Sequence, residues 1–179
     1  MATNTKKISL TTIVMHWLTG VSFIGVFIVG LIMSEMDRGP NKFELMGYHK
    51  SIGVLILVVA ALRILWRLKE GNLLSLGSSP AWQKKIAHAV HGILMLATIA
   101  MPISGVIMSA GGGRAVDVFG WVIISEGKKV EWLQELGSTI HHSAVNIIVA
   151  MLILHIVGAL KHQLIDKDGT INRMLGKKF

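Results

Sequence analysis

Four long stretches of the chain carry almost no charge. They run from about Leu10 to Met33, His49 to Trp66, Ala87 to Ser109 and Thr139 to Lys161. Each approaches or exceeds the ~18–20 residues that a helix needs to cross a bilayer. Backbone groups in lipid must bond within their own segment, so all four are predicted to be helices. The first has too long an apolar region, and no clean small-residue cleavage site, for a cleaved signal peptide. Polar connections separate the stretches. Ser34–Tyr48 and about Ala110–Ser138 lie at one end, and the Gly/Ser-rich Lys69–Pro80 lies at the other. Gly111–Gly113 marks a turn, and the VDVFGWVII after it is compatible with a short re-entrant or interfacial piece. With no repeat and no soluble domain, the expected fold is all-α: one integral membrane four-helix bundle over residues 1–179.

Composition agrees. Hydrophobic residues make up 52% and charged ones only 16%, against about 25% charged in ordinary soluble proteins. The formal charge is +8, and its distribution orients the chain. With the N-terminus placed in the cytoplasm, that side holds Lys6, Lys7, Arg63, Arg67, Lys69, Lys84, Lys85, Lys161, Lys167, Arg173, Lys177 and Lys178. These twelve cations face three acids, a net of +9; the other side has six cations and seven acids, a net of −1. Both termini are therefore expected in the cytoplasm. The basic excess suits anionic lipid and calls for no nucleic acid. Trp17, Trp66, Trp82, Trp121 and Trp132 lie near span ends or in loops, as in an aromatic belt. The absence of cysteine excludes disulfides, thiolate metal sites, iron–sulfur clusters and haem attached through C-x-x-C-H.

The unusual content of these spans is histidine: His16, His49, His88, His91, His141, His142, His155 and His162. Ionisable groups within spans are costly and mark function, although one ring near a span end can simply bond a neighbouring helix. In HHSAVNIIVAMLILH, His141 and His155 are 14 residues apart. At 100° and 1.5 Å per residue they share a helix face about 21 Å apart, one in each leaflet, while His142 points away. Two ligands placed so suit two stacked haems. His16, entering from the cytoplasm, lies level with His155; His49, entering from outside, lies level with His141. Imidazole on both sides of iron makes an electron-transfer site with no position left for substrate. Arg63, 14 residues after His49, reaches the inner haem's depth, where it can pair with a propionate or snorkel. Gly20 and Gly53, each four residues after a ligand, leave room for a flat ring or pack helices. Pro102 is expected to kink the third helix.

The chain resembles the bacterial cytochrome b561 type, four-helix di-haem proteins grouped with hydrogenase cytochrome b subunits. The resemblance covers essentially the whole chain. It rests on MHW at Met15–Trp17, YHKSIG at Tyr48–Gly53, LRILWRLK at Leu62–Lys69, AHAVHGILM at Ala87–Met95, MPISG at Met101–Gly105, His141, and LHIVGALKH at Leu154–His162. It implies two b haems, with ligands matching His16, His49, His141 and His155, and a multi-pass position in the bacterial inner membrane. One member of the type is a superoxide oxidase that passes electrons to ubiquinone, so that activity is implied as a candidate. Where that member has a His–His pair after the fourth span, this chain has Lys161 and His162.

His88 and His91 share a face of the third helix at the inner haem's depth. Three roles are open to them: ligating that haem in place of His16, facing a quinone with Lys161 and His162 nearby, or packing against Arg63, Lys161 or a propionate. The leading function is transmembrane electron transfer from an outer donor, superoxide among the candidates, to ubiquinone on the cytoplasmic side. Lys50, beside His49, is the candidate local charge for donor approach. The alternative is a cytochrome b anchor carrying electrons between a partner dehydrogenase or hydrogenase and the quinone pool. A channel, a transporter or a zinc protein is disfavoured, because the spans hold no carboxylates and the histidines do not converge on one depth. Oligomeric state is not legible in the sequence.

Overall fold

A computed structural model describes residues 8–71, 76 and 79–177. Lys6, Lys7 and Lys178 lie outside the described residues, as do residues 72–75 and 77–78 of the Gly/Ser-rich loop. Four helices dominate: α1 (Leu10–Glu35), α2 (Pro40–Glu70), α3 (Ala81–Gly111) and α4 (Glu131–Lys161). All four are long and apolar enough to cross a membrane, and most of their large aliphatic side chains face outward. The protein is a membrane four-helix bundle in which neighbours in sequence are neighbours in space.

The helices overrun the apolar stretches, and local signals mark the start of α1 and both ends of α2. Ser9 Oγ accepts the Thr12 N–H at 3.2 Å and starts α1. Pro40 occupies the first turn of α2, where a missing N–H costs nothing. Gly71, at φ 79°, closes α2 with its N–H on the Arg67 carbonyl. The start of α1 is bound to the end of α2: Trp66 Nε1–H donates to Thr12 Oγ1 at 3.0 Å, and Thr12 donates to Glu70. That end also carries a π-helical turn, His162–Asp166, and the short α5 (Thr170–Met174), whose Met174 carbonyl accepts from Trp17 Nε1 at 2.8 Å. It is termed the termini end below.

At the opposite end, the stretch after the triple glycine is a β-hairpin, which the sequence reading left open. Strand β1 (Val116–Val118) pairs antiparallel with β2 (Trp121–Ile124). Phe119 and Gly120 both have positive φ, 50° and 89°, as a two-residue type I′ turn requires. Asp117 caps the turn by accepting from Gly120 N–H at 3.1 Å.

Close packing at this hairpin end rests on two glycines. A Cβ on Gly137 of α4 would stand 2.4 Å from the Met108 nitrogen of α3, and one on Gly111 would stand 2.4 Å from the Gln134 nitrogen. Only bare backbone allows α3 and α4 to approach so closely. Pro102 lies inside α3, which runs on through it.

Candidate functional site

The interior is built in three layers, and heptad spacing generates them. Positions seven apart differ by only about 20° in direction, so three such positions stay on one helix face. On α1 they are His16, Phe23 and Gly30; on α2, His49, Ile56 and Arg63; on α3, His91, Thr98 and Gly105; on α4, His141, Ile148 and His155. Because the helices alternate in direction, like depths meet. The middle layer, Phe23, Ile56, Thr98 and Ile148, is buried, and its apolar members form the core with Phe27, Ala97 and Met101. The two outer layers hold the chemistry.

In the layer toward the hairpin end, His49 and His141 face each other with ring centres 6.1 Å apart. His49 Nδ1 lies 3.1 Å from the Val26 carbonyl. His141 Nδ1 lies 3.0 Å from the Met101 carbonyl and 3.0 Å from Ser104 Oγ. A carbonyl can only accept, so Nδ1 of each ring carries the proton and Nε2 keeps its lone pair. A carbonyl holding the far ring nitrogen in this way is usual behind a metal-ligating histidine, because it fixes the tautomer and the ring's direction. Glycine makes room for both rings: a Cβ on Gly30 would come 3.1 Å from His49 Cε1, and one on Gly105 would come 3.3 Å from His141 Cε1.

In the layer toward the termini end, the rings of His16 and His155 are 6.2 Å apart. Arg63 Nη2 donates to His16 Nδ1 at 3.1 Å, which places the remaining ring proton on Nε2. His91 joins this layer, its ring centre 5.2 Å from that of His155. His88 does not. It is exposed and bonds its own helix, with Nδ1 2.6 Å from the Lys84 carbonyl.

Iron tests the fit of these pairs. Two imidazoles on one metal, with bonds of about 2 Å and roughly 1.1 Å from nitrogen to ring centre, stand about 6 Å apart centre to centre. Both facing pairs meet that spacing, and the His91–His155 pair is closer than it allows. An added Cβ at Gly20 or Gly53 would meet nothing within 4 Å. His142, expected to point away, is exposed and bonds the Ser138 carbonyl at 2.7 Å.

The remaining sequence candidates are engaged elsewhere. Lys50 Nζ donates to the Ala115 carbonyl at 3.0 Å and ties α2 to the segment entering the hairpin. Lys161 Nζ pairs with Asp166 at 2.6 Å and reaches Gln83 Oε1 at 3.3 Å. His162 Nδ1 meets Asp168 at 2.6 Å and Asp166 at 3.2 Å. Burial pushes the Asp168 carboxyl upward, but Thr170, through its hydroxyl and its N–H, and His162 outweigh this and hold it below the usual carboxylate range. Sequence reasoning counted Asp166 and Asp168 only as charges and did not single out Gly30 or Gly105. The heptad register from His16 and His91 was the signal that would have found both glycines.

Residues 7–177 match the model of the family described as prokaryotic cytochrome b561. The chain is 32% identical over 178 residues to cytochrome b561 homolog 2 of Escherichia coli K12, covering 98% of this chain and 95% of that protein. To cytochrome b561 homolog 1 of the same organism it is 25% identical over 175 residues, with 97% and 99% covered. To a Yersinia pestis protein named "Probable superoxide oxidase CybB" it is 28% identical over 178 residues, with 97% and 98% covered. The layered histidines, the four spans and a match over nearly the whole length agree: the chain belongs to the prokaryotic cytochrome b561 family, bacterial membrane cytochromes that carry b-type haem and transfer electrons.

Proposed function

We propose that the chain holds two b haems, one between His16 and His155 and one between His49 and His141, and carries electrons across the bacterial inner membrane from an outer donor to ubiquinone. The observation that carries this reading is the pair of facing imidazoles, 6.2 Å and 6.1 Å apart, in two layers set by heptads on all four helices. When bound, haem would supply reversible one-electron chemistry, held in one layer by His16 and His155 and in the other by His49 and His141. The protein does the rest by placement. The Val26 and Met101 carbonyls aim the Nε2 lone pairs of His49 and His141. For His16 to ligate through Nε2, its Nδ1 must carry the proton, so Arg63 must release that atom. The freed guanidinium is then available to a propionate. The packed middle layer keeps water from joining the two sites.

Orientation follows the charge distribution, with both termini in the cytoplasm. Quinone reduction at the termini end then has cytoplasmic protons at hand. His91 borders the site there, its ring centre 5.2 Å from that of His155, and His88, Lys161 and His162 lie toward the same end. The donor approaches at the hairpin end, near Lys50. Superoxide is favoured because one relative is named as its oxidase and because it gives up one electron at a time.

Stopped-flow mixing of superoxide with the oxidised protein tests the donor. Haem reduction is expected near the diffusion limit, slowing with added salt and with Lys50→Glu. Slow reduction, indifferent to salt and to Lys50, would reject superoxide and favour an anchor that takes electrons from a partner protein.

A further inference from the structure

We infer that the β1–β2 hairpin is a membrane-seated wedge: it lies against the lipid-facing flank of α2 and inserts Phe119 and the strand Trp121–Ile124 among the lipids of the leaflet at its end. Helix phase places it there. His49 faces the bundle interior, so Ser51, two residues and about 200° further round, faces outward. Ser51 is nevertheless 2% exposed, and the hairpin is what covers it. Ser51 Oγ accepts from Phe119 N–H at 3.0 Å and donates to the Asp117 carbonyl at 3.4 Å. The tip also joins the outward stripe of α2, with the Phe119 and Tyr48 ring centres 6.4 Å apart. Tyr48 continues along that face to Leu55 and Leu62, which are exposed as lipid-facing residues of a span must be.

Depth points the same way. Ile56 lies in the middle layer, close to the midpoint of α2. Ser51 is five residues from it, about 7.5 Å along the axis, well inside the ~15 Å half-thickness of hydrocarbon. The hairpin therefore starts below the headgroups. Its composition suits that place. Trp121 is 81% exposed and Ile123 62%, and no charged residue occurs from Val118 to Ser125. Arg114 precedes the hairpin and Lys128 and Lys129 follow it, where they can meet phosphates. The tip N–H groups are bonded by Ser51 and Asp117. The tip lies deepest, and the outer edge of β2, which has no further strand to pair with, rises from it toward the headgroups, where water reaches its free groups.

The chain has no cysteine, so single cysteines at Trp121, Ile123, Leu62 and Lys128 can each carry a nitroxide in haem-loaded protein in phosphatidylglycerol-containing vesicles. Power-saturation EPR then compares collisions with oxygen, which concentrates in lipid, and with a water-soluble nickel chelate. Trp121→Cys and Ile123→Cys are expected to resemble Leu62→Cys, with oxygen exceeding chelate several-fold, and to differ from Lys128→Cys. A chelate excess at both hairpin positions would place the strand in water and overturn the inference. Low collision rates with both reagents would also overturn it, by showing that a protein surface covers the strand. Both hairpin side chains are exposed, so labelling removes no packing, and an unchanged haem spectrum verifies the fold of each variant.

Discussion

His155→Ala protein is expected to keep one haem and lose the other, and the lost one should be the same that His16→Ala loses. His49→Ala and His141→Ala should lose the complementary haem. A bis-imidazole site deprived of one ligand gives up half of its iron–protein bonding, an effect far larger than that of any packing change. Redox titration of the reduced-minus-oxidised spectrum distinguishes the cases, because each pair of variants should retain a different one of two components. His142→Ala should retain both, since that ring bonds its own helix. His91→Ala should also retain both, because its ring stands 5.2 Å from His155, nearer than two ligands of one iron stand. A His16→Ala protein with both components, together with a His91→Ala protein lacking one, would transfer the ligand role to His91.

Gly137→Ala is expected to damage the bundle severely. Two effects compete. Alanine is the better helix former by about 1 kcal/mol, which alone would stabilise α4. Its methyl would lie 2.4 Å from the Met108 nitrogen and 2.7 Å from the Ser104 carbonyl oxygen, backbone atoms that cannot swing aside. Forcing the helices apart costs about 3 kcal/mol or more, so the clash wins. Thermal melting in detergent should show a drop of many degrees, with the haem between His49 and His141 lost first, because Ser104 and Met101 support His141 beside the contact. Gly25→Ala, on the exposed face of α1, is the control, since nothing lies within 4 Å of its added Cβ, and it should melt like the parent or slightly higher. A Gly137→Ala protein as stable as the parent would mean that α3 and α4 do not cross where they are placed here.

Much of this architecture is legible in the sequence because lipid leaves few choices. Four charge-poor stretches become four helices, and a 14-residue spacing on α4 returns the chain to the same face one leaflet away. That is why His141 and His155 can be matched by depth to His49 and His16, whose rings stand 6.1 Å and 6.2 Å from theirs. What escapes is whatever depends on a neighbour's backbone. Gly30 and Gly105 matter only because the His49 and His141 rings rest against them, and no residue near either glycine in the sequence announces it. His88 and His91 are three residues apart, which still leaves about 60° between them on a helix. That angle sends one ring into the site and the other out. Lys161 and His162 read as free cytoplasmic groups until the π-helical turn folds Asp166 and Asp168 back onto them. The hairpin was hidden by its turn, since Phe-Gly carries Phe at φ 50° in a place where Asn or Asp is the common signal.

Whether one chain holds two haems, one toward each face of the membrane, is read from a pyridine haemochrome assay against polypeptide concentration. Protein purified with haem in excess is expected to carry two b haems per chain; a ratio that saturates at one would rule out a haem in each layer.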